Sequence, residues 1–152
     1  MTPAMREVGM HLVKSIQENF ESGRSPEGAP WKPSKRALRE HGKTLVDTRR
    51  LEGSVSFQAS PDKVEVGTNV EYAAIHQFGG EIHLPEYIRT LRFKVNKDGK
   101  SRFAKRHSAN FEQDVRIGKR TITMPARPFL GVAEADWEEI GNIFLRHILG
   151  GL

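Results

Sequence analysis

Cysteine is absent from the 152 residues, which removes disulfides, thiol nucleophiles and thiolate metal sites together and fits a reducing compartment. No apolar run approaches the ~20 residues that span a bilayer, and the opening stretch MTPAMREVGMHLVKSI has charges spread through it in place of a leader-like apolar segment. The chain therefore reads as soluble and unexported, with no membrane partner. Apolar residues are scarce too, at 37% with a mean hydropathy of −0.55, so the core is modest and much of the chain belongs to surface loops or partner-facing segments. At this length one domain, 1–152, is expected, because a core of this size buries enough surface to be stable and longer chains are the ones that usually split.

Signatures of chemistry are missing as well. His11, His41, His76, His83, His107 and His147 are scattered, with no HxxxH or HExxH spacing, so the composition argues for hydrogen-bonded or exposed imidazoles and against a metal. Gly79-Gly80 and Gly150-Gly151 lack the strand and lysine of a phosphate loop and are explained by helix termination. Neither GxSxG nor a paired-carboxylate pattern occurs in an apolar setting. The expectation is a non-enzymatic protein with no cofactor and no small-molecule substrate.

What the chain does contain is periodicity. Met5, Val8, Leu12, Ile16 and Phe20 recur at spacings of three and four and predict a helix from about Pro3 to Glu21. The segment GRSPEGAPWKPS, with three prolines and two glycines, predicts a loop whose Trp31 is pinned to the body. Ser34 is placed to cap a short helix to about Glu40, and Asp47 or Thr48 another turn over 49–53. Val55, Phe57 and Ala59, then Val64 and Val66, alternate with polar residues around Ser60-Pro61-Asp62-Lys63 and predict a hairpin. A short buried helix is expected over 70–78. Leu91, Phe93 and Val95 predict a strand whose return partner begins at Thr121-Ile122-Thr123, with a long, mobile, partly ordered basic loop over 96–118 between them. A last helix is expected with Val132, Trp137, Ile140, Phe144 and Ile148 on its buried face. Helices at both ends of a small, mostly antiparallel sheet define an α+β domain.

Two segments are too particular to be ordinary linkers: Tyr72-Ala73-Ala74-Ile75-His76-Gln77-Phe78-Gly79-Gly80 and Met124-Pro125-Ala126-Arg127-Pro128-Phe129-Leu130-Gly131. Each mixes apolar anchors with residues that fix the backbone. Pro125 and Pro128 bias the second away from helix, so it runs extended and inserts Phe129 and Leu130 into the core. Arg127 is thereby held in one direction, and two readings stay open: a partner within its own subunit, or a contact with a neighbouring subunit.

At these residues the chain resembles the phage virion morphogenesis family, the tail-completion proteins of Mu-like phages. The resemblance rests on an ordered series: Phe20, Pro26-Glu27-Gly28, Trp31-Lys32-Pro33-Ser34, Leu45-Val46-Asp47-Thr48 with Leu51 and Ser54, Val66-Gly67-Thr68, then the two segments just described. It covers most of the chain. Two departures stand out: the family pattern prefers Gly where Arg49 stands, and often has Ser or Thr where Ala133 stands, three residues before Asp136, which would lose a capping box. The resemblance implies a non-catalytic structural protein of phage or prophage origin, acting in tail completion and head–tail joining from a ring at the neck or tail end. Its partners would be other tail or neck proteins and further copies of itself, in the virion after assembly in the host cytoplasm. Tyr72, Ile75, His76, Gln77, Phe78, Arg127 and Phe129 are the expected assembly interface.

The formal charge of +5 is local: residues 89–127 hold twelve Lys or Arg against three acids, a net +9 that leaves −4 for the remainder. The basic arm consists of Arg92, Lys94, Lys97, Lys100, Arg102, Lys105, Arg106, Arg116, Lys119 and Arg120, interleaved with Phe103, His107 and Phe111. It reads as a solvated extension, as an arm that orders against an acidic neighbour, or as a DNA contact through 89–120. A tight grip on DNA would hinder passage of a genome through a neck, which weighs against the last.

Overall fold

The computed structural model describes residues 2–150. The chain divides into two compact units, one holding the chain up to Gly80 and again from Met124, the other Glu81–Thr123. The architecture is α+β, as expected, but the strands form three small sheets instead of one.

In the first unit, helix α1 (Thr2–Ser22) buries Ala4, Val8, Leu12, Ile16 and Phe20 along the stripe its spacing predicts. The N-terminal half of that stripe packs with Ile143 of α5 (Glu134–Leu149), and the C-terminal half with Trp31, Leu51, Val55, Val70, Ala73 and Phe129. The predicted hairpin is present as β1 (Ser56–Ala59) and β2 (Val64–Gly67), antiparallel, with Ser60 N–H donating to the Lys63 carbonyl across the turn. It lies on α1 at Gly9, where a Cβ would come within 2.1 Å of the Phe57 ring. No larger residue fits there.

Short helices α2 (Lys35–Glu40) and α3 (Arg50–Gly53) precede the hairpin. Ser34 Oγ caps α2 by accepting from Ala37 N–H at 3.1 Å. The cap expected for the next turn from Asp47 or Thr48 is not made. Instead Arg49 itself occupies the N-cap with φ of 59° and no side-chain cap bond. A left-handed backbone at this position explains the family's glycine, since glycine alone adopts it without a Cβ penalty. Arg49 keeps the turn, with its guanidinium beside Glu21 and Glu52.

Helix α5 corrects the predicted phase. Trp137 and Ile148 are exposed, and the residues turned inward are Asp136, Ile143 and, in part, Ile140 and Phe144. The deciding residue is Asp136, whose carboxylate accepts from His11 Nε2 at 2.8 Å and Ser15 Oγ at 2.9 Å, both on α1. The same carboxylate accepts from Ala133 N–H at 2.8 Å, so half of the capping box survives the loss of a hydroxyl at Ala133.

In the second unit, β3 (Gly80–Leu84) pairs with β7 (Arg120–Met124). Strand β4 (Tyr87–Val95) is the centre of an antiparallel sheet between β5 (Ser101–Phe103) and β6 (Phe111–Ile117). Two expectations change here. The return partner of β4 is β6 and not the stretch at Thr121, and the segment 96–118, expected as a partly ordered loop, carries two strands and a 3-10 turn at Arg106–Ser108. Side-chain bonds hold this order: Asn110 accepts from Val95 N–H and donates to Val95 O, standing in for a strand residue, and Thr90 Oγ1 donates to Asp114 at 2.7 Å.

Candidate assembly site

The two particular segments meet each other in the first unit. Helix α4 (Ala73–Phe78) ends at Gly79, with φ of 70°, where a Cβ would lie 2.7 Å from Ala126 N and 2.8 Å from Met124 O. Glycine is therefore required twice, by its backbone conformation and by the closeness of the second segment's main chain. Gln77 completes the join. Its Oε1 accepts from both Phe129 N–H and Leu130 N–H at 3.0 Å, and its Nε2 donates to Leu130 O at 3.0 Å. Arg127 N–H donates to His76 O at 2.7 Å.

The proline-rich loop closes on the other side. Trp31 Nε1 donates to Pro128 O at 2.8 Å, and its indole packs edge-on to Phe20, which in turn meets Phe129 at a centroid distance of 5.1 Å. Arg127 Nε donates to Lys32 O at 2.8 Å. Of the two readings of Arg127, its Nε thus takes the one within its own subunit.

The seven expected interface residues accordingly fall into three groups. Phe129 is 0% exposed, Arg127 is buried, and Gln77 is spent on backbone partners. Tyr72 and Phe78 are exposed, Phe78 at 78%, and Phe78 lines a groove of about 390 Å³ with Val70, Ala74 and Leu130. Ile75 and His76 lie between these extremes. The clasp holds the exposed ring of Phe78 on a fixed base, which lowers the ordering cost of a contact made there.

His76 Nδ1 is buried without a hydrogen-bond partner among the described residues. Burial, and secondarily the charge of Arg127, hold its imidazole below the ordinary histidine value. The unfolded chain then takes up the proton first. The stability this group contributes is complete above the unfolded value of 6.5 and is lost as the pH falls from there toward the lower folded value. His76→Gln is expected to shrink the change in urea midpoint between about pH 7.5 and about pH 5.5 relative to the unaltered chain. An unchanged difference would mean that His76 titrates normally in the fold.

A second cavity, about 310 Å³, is lined by Arg36, Asp47, Arg49, Arg50, Tyr72, His76 and Arg127, with Ser34, Thr48, Leu45, Leu51 and Met124. Nothing in the sequence marks the residues from 34 to 51 as part of this cavity. They lie far along the chain from Arg127, and no periodicity links them to it.

The basic arm, in the second unit, is spread over several surfaces. Cross-strand register puts Lys94 opposite Arg102, Arg92 opposite Glu112 and Ile88 opposite Arg116, so these four cations share one face of the sheet with Glu112 and Asp114. Arg92 Nε is 2.7 Å from Glu112 Oε1. Lys97 and Lys100 flank the β4–β5 turn, Lys105 and Arg106 follow β5, and Lys119 and Arg120 stand at the start of β7. Phe103 and Phe111 pack on Phe93, at 5.0 and 6.2 Å between centroids, on the other face.

Comparison with known proteins bears on what this arrangement serves. The sequence model of the phage virion morphogenesis family matches residues 1–149. Mu-like prophage FluMu G protein 2 of Haemophilus influenzae is 40% identical over 79 residues, 52% of this chain and 53% of that protein. The matched stretch thus spans about half the length of that curated relative. No solved structure matches. The family match runs through both proline- and glycine-framed segments and nearly the whole described fold, and on it the chain belongs to the phage virion morphogenesis family.

Proposed function

We propose that this chain is a non-catalytic structural protein of tail completion and head–tail joining, seated with further copies in a ring at the tail end or neck of the virion. Family membership supports a part in virion morphogenesis, and the name of the relative supports a Mu-like phage or prophage setting. The observation that carries the assembly reading is on α5. Beyond its inward stripe, Trp137, Gly141, Leu145 and Ile148 recur at spacings of four and three and form a second stripe, with Trp137 59% exposed and Leu145 and Ile148 more than half exposed. A helix apolar on two sides is ordinarily covered on both, and an exposed apolar stripe with a tryptophan marks a contact with another protein. Phe78 and Tyr72 add two further exposed rings, each at a different cavity.

A DNA-binding role for 89–120 is the alternative, favoured by the four cations on one sheet face. Glu112 and Asp114 stand on that face too and offset half of its charge, which weakens its pull on phosphates.

Phage particles made without the protein are expected to accumulate as free heads and free tails, and supplying the unaltered chain restores joined virions. Trp137→Glu, at a side chain already in water, should fold normally and fail to restore them. Joined infectious virions in the protein's absence would sink the proposal. So would a chain that stays monomeric among tails and binds DNA with an affinity falling steeply with salt.

A further inference from the structure

The cavity around Arg127 has a feature that the clasp does not use. Arg127 is 4% exposed, and its hydrogen bonds are accounted for by Nε and the main chain, leaving both terminal amino groups without a partner among the described residues. Among the described residues no carboxylate lies within 4.0 Å of it. Burial pulls its pKa down, and nothing nearby restores it. The two amino groups are not among the fully buried unpartnered atoms, so they face the open cavity, where a paired and hydrogen-bonded counter-charge would offset the partial desolvation of the guanidinium. Departures of this kind from local pairing fall at functional sites.

The surroundings select that ligand. Of the four arginines lining the cavity, Arg36 is opposite Asp47 at 3.7 Å, and Arg49 is opposite Glu21 and Glu52. Arg50, like Arg127, has no carboxylate within reach among the described residues, so two positive charges are left over. Asp47 is the cavity's single acid, largely exposed and turned to Arg36. His76 carries no positive charge at neutral pH, given its lowered pKa. The remaining walls are Leu45, Leu51, Met124 and the Tyr72 ring, with hydroxyls from Ser34 and Thr48. A phosphodiester would have to bring a sugar on each side into about 310 Å³, whereas an aspartate or glutamate enters on a narrow aliphatic stem. The planar fork of a guanidinium matches the two oxygens of a carboxylate.

We propose that this cavity is the seat for an acidic side chain, an aspartate or glutamate presented by a neighbouring virion protein, with Arg127 as its principal ligand and Arg50 as a second positive charge. The identity of the partner rests on the assembly reading above; the carboxylate specificity does not. Docking supplies the counter-charge that the folded subunit lacks.

The test uses the full chain at low ionic strength, where the Arg127 Nε–H resonance is followed by nitrogen-edited NMR. The probes are acetyl-Gly-Glu-Gly-amide, its Gln counterpart and inorganic phosphate. The glutamyl peptide should shift that resonance saturably with a dissociation constant of about 1–10 mM, an affinity that a single charge-assisted pair supplies. The Gln peptide should bind at least about ten-fold more weakly. Arg50→Gln should weaken the glutamyl peptide about three- to five-fold with the fold intact. Arg127→Lys should weaken it about ten-fold by losing the fork; if that variant does not fold, Arg50→Gln still decides. Equal binding of the Glu and Gln peptides, tighter binding of phosphate, or no saturable shift would overturn the proposal. Any of these would leave the head–tail joining result untouched, and joined virions made without the protein would leave the carboxylate titration standing.

Discussion

Phe129→Ala is expected to lower the free energy of unfolding by about 3–5 kcal/mol, which for a chain of this size is a fall in Tm on the order of 10 °C. The ring is fully buried, touches Phe20, and sits where α1, α3, α4 and the extended segment share one cluster. Its removal leaves a cavity that this cluster is poorly able to refill, because Trp31 and the neighbouring backbone are tied by hydrogen bonds to Pro128 O and Gln77. Phe78→Ala, on the same clasp, is the matched control. With its ring in solvent it should change stability by less than about 0.5 kcal/mol, while failing to restore joined virions. Thermal unfolding and complementation separate the two effects. If Phe78→Ala restores virions in full, the exposed ring is not part of the interface; if Phe129→Ala unfolds at the normal temperature, the cluster is not the core.

Gln77→Ala carries the second largest effect, about 2–4 kcal/mol, from a side chain that buries little apolar surface. Two N–H groups and one carbonyl of the second segment lose their partner at once, and a partly buried peptide group left unpaired costs more than the bond itself contributes. Gln77→Glu distinguishes this from a packing effect. The carboxylate still accepts from Phe129 and Leu130 N–H but faces the Leu130 carbonyl with no proton to donate. Its deficit against the unaltered chain should be intermediate near neutral pH and should narrow as the pH falls through the carboxylate range, when the protonated acid donates to Leu130 O. Urea midpoints at about pH 7 and about pH 4.5 read this directly. A Gln77→Ala chain within about 0.5 kcal/mol of the unaltered one would show that the segment is held by its apolar contacts alone.

These effects show where the family motifs act. In the two segments that carry the resemblance most strongly, Gln77, Gly79, Arg127 and Phe129 are engaged within their own subunit, and the motif pair first of all builds it. What it offers outward is narrower: the ring of Phe78, the side of Tyr72 and the unpaired end of Arg127. A pattern of residue types records that positions are constrained without distinguishing a neighbour in the same chain from one in another.

Other differences have equally local reasons. The strand β6 was legible in principle, since Phe111, Val115 and Ile117 alternate with Glu112, Asp114 and Arg116. Its polarity and the surrounding cations argued for a loop, yet two of its three charged residues, Glu112 and Asp114, are matched across the register by Arg92 and Thr90. The phase of α5 was not legible. Its sixteen residues hold two apolar stripes, and hydrophobicity alone favours the one with Trp137.

Spacing and backbone chemistry, both local, were enough to determine helix α1, the β1–β2 hairpin and the cap at Ser34, because each follows from residues within a few positions of one another, and the order of such elements was enough for the α+β class. Tertiary structure alone decided which side of α5 faces inward, which strand closes on β4, and that Arg36, Arg50 and Arg127 line one cavity. The reason is physical: those outcomes depend on partners up to 125 residues apart, such as His11 and Asp136, whose hydrogen bonds have no periodicity to announce them.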